Sequence, residues 1–214
     1  MNSFKPVKEK VAQTIRTLYR IGYVLSQEGN VSSRTNAVNK YAITPSQVPR
    51  NMIKASDILV VNEAGEVVQG KRNPSVETKM HLQIYFKRPD VGAVIHFHSI
   101  FATALATLHE TIPPFLEELI PFLGESIPTV EYAMAGTEEL ALNVASSLIQ
   151  RNAVLLANHG AVVCGKNLQD ALHKTLLLEK AATIYLLART VGTPKNLPEW
   201  AVEIGRELFR TMMM

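Results

Sequence analysis

Apolar side chains recur at helical spacing in the first part of the chain. Val11, Ile15 and Leu18 are three or four residues apart, so they share one face of a helix. This pattern predicts an amphipathic helix over residues 7–25. Gly29, which follows a polar segment, is the expected stop signal for that helix.

Short apolar runs bounded by turn residues alternate with helical patterns over the rest of the chain. The segment Glu-Ala-Gly-Glu at 63–66 predicts a hairpin turn. Ser75 is expected to cap the helix after Pro74, and Asn167 to cap the longest helix. The predicted strands cover 31–34, 40–44, 57–62, 67–69, 91–97, 129–132, 153–157 and 161–164, and the further helices cover 75–87, 100–108, 136–151, 167–190 and 198–211.

The order of these elements predicts the fold class. Alternating strands and helices are typical of an α/β protein, but several strand pairs are joined by tight turns, which requires antiparallel neighbours. We therefore expect a single three-layer α/β/α domain over residues 1–214, with a mixed, mostly antiparallel central sheet and helices on both faces. No internal repeat or low-complexity linker divides the chain.

Composition and charge exclude several classes of protein. Of the 214 residues, 47% are hydrophobic and 19% are charged, which is typical of a globular chain and not of a disordered one. The net charge of +3, without a basic run, does not indicate nucleic acid or a membrane as partner, but it suits a small anionic ligand. The single cysteine, Cys164, excludes an intrachain disulfide. Because residues 1–10 lack the apolar core of a signal peptide, we expect a cytoplasmic protein.

Three histidines form the candidate metal site. His96 and His98 end a predicted strand, where residues two apart point to the same face. His159 lies at another junction between strand and turn, next to Gly160, which permits close backbone approach or a positive φ. Three histidines on one ion leave a coordination position open, as in catalytic zinc sites. The alternative is that these histidines only pack, as we expect for His81, His109 and His173.

Glu77 is the candidate carboxylate. It lies at the predicted start of the helix that follows Pro74, where it is suited to be a fourth ligand or a general base. A glutamate in a first helical turn also compensates the helix dipole without any further role. Its position alone therefore leaves both interpretations open.

Four short motifs follow one another along the chain. They are Gly-Asn-Val-Ser at 29–32, Thr-Pro-Ser at 44–46, Pro-Ser-Val-Glu at 74–77 followed by His81 and Arg-Pro-Asp at 88–90, and Ala-Val-Ile-His-Phe-His at 93–98 paired with Asn-His-Gly at 158–160. Each is weak by itself, but their combination resembles the class II aldolase/adducin family. The resemblance runs from about residue 7 to residue 190.

The resemblance implies specific roles for these residues. The metal would be one Zn²⁺ per subunit, with Mn²⁺ or Co²⁺ as alternatives, bound by His96, His98 and His159. Glu77 would be the acid/base group and a possible fourth ligand. The family also implies a homotetramer with active sites between subunits. The residues implied to line a phosphate pocket are Gly29, Asn30, Thr44, Ser46 and Ser75.

Four departures from the family's aldolase pattern bear on the substrate. Gln27, Gln47 and Val76 replace a threonine, a glycine and a serine in the implied phosphate pocket, so the anion would be held differently. Glu117, followed by Glu118, occupies the position of a catalytic tyrosine. Either glutamate is a candidate second acid/base group, and both are equally compatible with solvated loop positions.

The activity that the resemblance implies is reversible aldol cleavage of a ketose 1-phosphate to dihydroxyacetone phosphate and an aldehyde. The presence of Glu77 favours this over the family's dehydratases, which lack that glutamate, and over its 4-epimerases, which usually have aspartate there. Decarboxylase members, which act on related phosphorylated compounds with similar ligands, are a further alternative. A non-catalytic, adducin-like binding protein is the alternative of a different class, and the retained histidines disfavour it.

Overall fold

One continuous sheet of eight strands forms the centre of the protein. The computed structural model describes residues 4–213. The strands are β1 (Asn30–Arg34), β2 (Lys40–Ile43), β3 (Leu59–Asn62), β4 (Val67–Gln69), β5 (Ala93–Phe97), β6 (Thr129–Val130), β7 (Ala153–Leu156) and β8 (Gly160–Gly165). The helices are α1 (Lys5–Arg20), α2 (Thr78–Lys87), α3 (Ile100–Thr107), α4 (Leu119–Leu123), α5 (Glu138–Ser147), α6 (Leu168–Val191) and α7 (Glu199–Met213).

The strand order confirms the predicted mixed sheet. It is β4-β3-β2-β1-β5-β8-β7-β6, and within residues 4–213 every neighbouring pair is antiparallel except β6 with β7. One apolar cluster lies between the sheet and α1, α3 and α6, and a second lies between the sheet and α2 and α5, which confirms helices on both faces. Of the helices described, none combines the length and apolar character needed to cross a bilayer.

Strand β5 carries the two neighbouring histidines, and its alternation decides where they point. Ile95 and Phe97 belong to the apolar cluster under α1, α3 and α6, whereas Val94 belongs to the cluster under α2 and α5. Since successive side chains of a strand point to opposite faces, His96 lies on the side of Val94 and faces α2. His96 is fully buried there.

Helix α1 ends five residues earlier than predicted, at Arg20. The stop is Gly22, whose φ of +77° is left-handed, and not Gly29. The Tyr23 N–H donates to the Leu18 carbonyl and the Gly22 N–H donates to the Tyr19 carbonyl, which is the pattern of a Schellman ending. Residues 23–29 are thereby free to form the loop that leads into β1.

Helix α2 begins at Thr78, so Glu77 and not Ser75 is its N-cap residue. The predicted cap by Ser75 is wrong because that residue lies one turn before the helix. Its Oγ accepts from the Glu77 N–H at 3.4 Å, and its carbonyl accepts from the Thr78 hydroxyl. The predicted cap of α6 is confirmed, since the Asn167 side chain accepts from two N–H groups of the first turn. Helix α4 was not predicted, and β6 is shorter than predicted.

The segment after the histidine pair is fixed by a buried carboxylate. Glu179 of α6 is 7% exposed. It accepts hydrogen bonds from the Ser99 hydroxyl at 2.5 Å and from the N–H groups of Phe101 and Ala102 at 3.1 and 2.9 Å. The carboxylate therefore caps α3 from a different helix, at its positive end, directly after His98.

We expect Glu179→Gln to lower the free energy of unfolding by about 2 kcal/mol, because hydrogen bonds to a charged group contribute about 1.5–3 kcal/mol and the new amide N–H would face other donors. Urea unfolding measures the change. Glu118→Gln is the control, because Glu118 is exposed and pairs with Lys180, the neighbour of Glu179 on α6. This substitution should lower the free energy of unfolding by less than about 1 kcal/mol. Equal losses in the two variants would contradict the capping role.

Candidate metal centre and active site

Two segments far apart in sequence bring three imidazole rings together. His96 and His98 lie at the end of β5, and His159 lies in the turn between β7 and β8. Because β8 pairs with β5, that turn lies beside the end of β5. One ring nitrogen from each histidine lies within 4.8 Å of the others, and the ring centroids are 4.7, 4.8 and 4.9 Å apart. The predicted cluster is therefore formed.

The outer nitrogens of two rings face oxygen acceptors, and their inner nitrogens face each other. The Nδ1 of His96 lies 3.0 Å from the Ala161 carbonyl, an acceptor only, so Nδ1 carries the proton and Nε2 carries the lone pair. The Nδ1 of His98 faces a carboxylate oxygen of Glu28 at 3.4 Å. The two Nε2 atoms lie 2.9 Å apart. Such outer partners fix the tautomer of a metal-binding histidine.

The turn that carries His159 requires unusual backbone. Asn158, directly before it, has a left-handed φ of +56°, and its side-chain oxygen lies 2.6 Å from the Nε2 of His109. A Cβ at Gly160 would lie 2.5 Å from the Phe97 carbonyl and 2.7 Å from the His98 ring. The backbone of Gly160 therefore approaches Phe97 and His98 closely, as expected, and any side chain at this position would displace His98. His109, expected to be a surface or packing residue, is exposed and holds this turn.

Glu77 points into the cluster. Its carboxylate is 5% exposed, with Oε2 at 3.3 Å from the His96 Nε2 and Oε1 at 3.6 Å from the His159 Nε2. The side-chain amide of Asn30 donates to Oε2 at 2.6 Å. Oε1 is buried without a hydrogen-bond partner. A buried, unpaired carboxylate oxygen beside three imidazoles fits a site for a divalent cation.

Two residues of the site were missed by the sequence analysis. His81, expected to be a packing residue, is fully buried and bonds to Asn30 through Nε2 at 2.5 Å. The sequence signal that could have indicated a role for His81 was its spacing of four residues from Glu77, which places both on one side of α2. Glu28, beside His98, has one carboxylate oxygen held by the Leu25 N–H at 2.7 Å. Only its position next to Gly29 marked it in the sequence.

The residues predicted to line an anion pocket lie on adjoining segments. These are Gly29 and Asn30 at the start of β1, Thr44 and Ser46 after β2, and Ser75 before α2. The Ser75 N–H donates to the Thr44 carbonyl at 3.3 Å, and Pro45 pairs with Pro74 in an isolated bridge. Thr44 and Ser75 are buried, whereas Ser46 is half-buried.

Arg50 ties these segments together. It is 2% exposed and donates to the carbonyls of Glu28, Gly29 and Pro45 at 2.9, 2.7 and 2.9 Å. Burial lowers the pKa of Arg50 to about 10, against the opposing effect of Glu77 and Glu28, so it stays charged at neutral pH. The Glu28 carbonyl and the Gly29 N–H belong to one trans peptide unit and point in opposite directions, so the Gly29 N–H points away from Arg50.

The residues that differ from the family's aldolase pattern lie at the surface. Val76 is 67% exposed, and Gln27 and Gln47 are exposed, the latter with a left-handed φ of +56°. Glu118 pairs with Lys180 at 2.6 Å. Glu117 is exposed and makes no hydrogen bond or ion pair with residues 4–213, so a single chain does not join it to the histidines.

The buried histidines make metal-free protein sensitive to acid. Burial lowers the pKa of His81 and of His96 to about 3; the nearby Glu77 opposes this at His81, and His159 adds to it at His96. Burial, with His96 and His159 nearby, lowers the pKa of His98 to about 4. Since the unfolded value is 6.5, the unfolded chain binds more protons below that pH. The stability present at neutral pH is therefore lost as pH falls from about 6.5 towards 4.

We expect the free energy of unfolding of metal-free protein to fall by up to about 1.4 kcal/mol per pH unit for each buried histidine over that window. Urea unfolding at a series of pH values measures the slope. His81→Gln should reduce it, whereas His173→Gln, at an exposed position, should not. A flat profile between pH 7 and 5 would show that the folded histidines titrate normally.

Comparisons with known proteins agree with this geometry. A family model described as Class II Aldolase and Adducin N-terminal domain matches residues 9–186. The 5-deoxy-D-ribulose 1-phosphate aldolase of Bacillus thuringiensis is 34% identical over 196 residues, 92% of each chain. The L-fuculose phosphate aldolase of Escherichia coli K12 is 33% identical over 203 residues, 94% of this chain and 93% of that one.

Solved structures agree as well. A structure of L-fuculose 1-phosphate aldolase superposes with a TM-score of 0.91 at 38% identity, covering 96% of both chains. The L-fuculose-1-phosphate aldolase of Thermus thermophilus gives a TM-score of 0.75 at 29% identity, covering 85% of this chain and 93% of that one. Since both the sequence and the fold match over most of their length, this chain belongs to the class II aldolase and adducin family.

Proposed function

We propose that the chain is a zinc-dependent aldolase that reversibly cleaves a ketose 1-phosphate, of the fuculose-phosphate kind, to dihydroxyacetone phosphate and an aldehyde. The observation that carries the proposal is the juxtaposition of three imidazole nitrogens with an unpaired oxygen of Glu77. A structural zinc site is normally closed by four protein ligands, whereas the three histidines leave a fourth position for substrate.

The donor set supports zinc as the ion. Neutral imidazoles suit Zn²⁺, and burial keeps His96 and His98 neutral at physiological pH. When bound, the ion would supply Lewis-acid polarisation of the ketone and stabilise the negative charge left by carbon–carbon cleavage. Mn²⁺ or Co²⁺ is compatible with the same ligands, so the identity of the metal is part of the proposal.

Glu77 supplies the proton chemistry in this proposal. One of its oxygens is held by Asn30, and the other is free and faces His159 at 3.6 Å. A carboxylate held on one side and free on the other is suited to take a proton from a carbon acid and return it. Glu117 is the proposed second acid/base group. Because it is not joined to the cluster within one chain, that role requires a second copy, in keeping with a proposed homotetramer with sites between subunits.

The phosphate is assigned to the segments tied by Arg50. Gly29, Asn30, Thr44, Ser46 and Ser75 form the proposed pocket, with the Gly29 N–H as a backbone donor and the charge of Arg50 behind it. A backbone N–H with a buried cation behind it suits a phosphate. The exposed Gln27 and Gln47 would add side-chain amide donors where Val76 offers none.

The named relatives differ in the aldehyde that cleavage would release. A 5-deoxyribulose phosphate would leave a two-carbon aldehyde, and a fuculose phosphate would leave a three-carbon hydroxyaldehyde. Both would share dihydroxyacetone phosphate as the other product. We therefore propose the ketose 1-phosphate as the substrate class and leave the aldehyde to experiment.

Purified protein should contain about one equivalent of zinc per chain by elemental analysis, and His159→Ala should lose most of it, because a three-ligand site reduced to two binds zinc weakly. His159 is preferred to His96 for this test, since its side chain is 20% exposed and its removal leaves a smaller cavity. His173→Ala is the matched control. Zinc retained at full occupancy in His159→Ala would rule out the three-histidine site.

Zinc-loaded protein incubated with dihydroxyacetone phosphate and a panel of short aldehydes should form a new ketose phosphate. Glu77→Gln should lower the rate by about 10²–10⁴-fold, the usual contribution of general acid–base catalysis. His173→Gln, a change at an exposed position outside the site, should retain the rate. The absence of product with every aldehyde, in protein that holds zinc, would overturn the aldolase proposal and favour the dehydratase, epimerase or decarboxylase activities.

A further inference from the structure

A buried chain of hydrogen bonds joins β1 to α2 behind the site. Asn30 and Ser32 are two residues apart on β1 and share a face, whereas Glu77, His81 and Tyr85 are four apart and share a face of α2 and its N-cap. The side chains alternate between the two elements. In order, Glu77 bonds to Asn30 at 2.6 Å, Asn30 to His81 at 2.5 Å, His81 to Ser32 at 2.6 Å and Ser32 to Tyr85 at 2.8 Å.

Every bond in this chain has a forced direction. The amide nitrogen of Asn30 donates to Glu77, so the amide oxygen, which only accepts, faces His81. The Nε2 of His81 therefore carries the proton, and its Nδ1 accepts. The hydroxyl of Ser32 must then donate to Nδ1, which leaves its oxygen to accept from Tyr85.

The environment keeps the chain in that state. All five residues are at most 5% exposed. Burial lowers the pKa of His81 to about 3, so its ring is neutral, and burial raises the pKa of Tyr85 well above its usual range, so its hydroxyl stays protonated. The side-chain amide of Asn30 does not relay a proton from its oxygen to its nitrogen. The chain is therefore a fixed support and does not conduct protons.

We propose that His81 and Ser32 are positioning residues that lock the amide of Asn30 with its N–H₂ towards Glu77. The lock holds Oε2, directs Oε1 to the histidines and prevents the amide from turning its oxygen to the carboxylate. The proposal rests on the proposed function only for what Glu77 does once it is held. The orientation of Asn30 is a property of the metal-free protein.

The tautomer of His81 provides the first test. A two-bond ¹H–¹⁵N correlation spectrum of metal-free protein should show the His81 ring neutral and protonated at Nε2. The signals of this ring are identified by their absence from the spectrum of His81→Gln. A ring protonated at Nδ1, or at both nitrogens, at pH 7 overturns the proposal whatever the protein binds or catalyses.

Ser32→Ala and Ser33→Ala form a matched pair for the second test. Both remove one buried hydroxyl from neighbouring positions of β1, but Ser33 bonds to the carbonyls of Arg34 and Gly92, outside the chain. In metal-free protein, the side-chain N–H₂ protons of Asn30 should exchange at least about tenfold faster in Ser32→Ala, and at an unchanged rate in Ser33→Ala. Equal exchange in both variants overturns the lock.

Metal affinity then links the lock to Glu77. Zn²⁺ titration should show about 10–100-fold weaker binding in Ser32→Ala than in Ser33→Ala at comparable unfolding free energy, the usual effect of losing an outer-shell partner. Equal affinities overturn the positioning role while leaving the metal site intact. If wild-type protein binds no zinc, the proposed function fails, and the tautomer and exchange measurements still decide the lock.

A second pair covers the case in which Ser32→Ala does not fold. His81→Gln places an amide N–H near the position of Nε2–H, so this variant should largely retain the slow exchange of the Asn30 amide and the zinc affinity. His81→Leu offers no donor and should lose both. Identical behaviour of the Gln and Leu variants contradicts the proposal, because a packing role alone would not distinguish them in this way.

Discussion

Strand β5 is hydrogen-bonded along both edges, and the position of the site depends on these two pairings. The pairing with β1 sets Asn30 opposite His96, and the pairing with β8 returns the chain so that His159 meets the end of β5. Ile95 and Phe97 anchor the strand in the apolar cluster on the other face of the sheet. A slip of one residue would exchange the faces and place His96 in that cluster, at the cost of an unpaired imidazole in apolar surroundings. The same packing that stabilises the sheet therefore also selects the register that forms the site.

The interior of the site is polar, and its polar groups are paired almost completely. Asn30 links Glu77 to His81, the Ala161 carbonyl holds His96, and the only orphan oxygen of the described site is Oε1 of Glu77. Buried polar groups without partners are costly, so natural structures contain few of them, and a ligand or catalytic step commonly accounts for those that remain. Arg50 balances the local charge, since its guanidinium is buried near Glu77 and Glu28 yet donates only to carbonyls. Its charge thus acts on the site without an ion pair that would neutralise Glu77.

The sequence was sufficient to predict the sheet and its two helical layers, because these depend on periodicity over short stretches. The histidine cluster joins segments far apart in the chain, and it was predicted from the residue types at strand ends together with the family resemblance. The end of α1 was predicted wrongly, since Gly22 and Gly29 are both acceptable stops and the contact of Tyr23 with Leu18 decides between them. His81 was assigned to packing because its partner Asn30 lies 51 positions away in the chain, and only the tertiary fold pairs them. The proposed role of Glu117 shows a different limit, since the structure of one chain leaves this residue exposed and away from the histidines.

The proposed ligands also have a consequence for the lifetime of the protein. His98 and His159 lie on opposite sides of a long stretch that contains α3, α4, α5 and the two strands β6 and β7. An ion held by both would clamp that stretch in the folded state, and because the unfolded chain offers no preformed site, its binding energy would add to the folding energy. Metal-starved molecules would open more often and reach cellular proteases sooner. Zinc supply would then set the abundance of this enzyme as well as its activity, so that a cell short of zinc would clear the idle copies without any dedicated regulator.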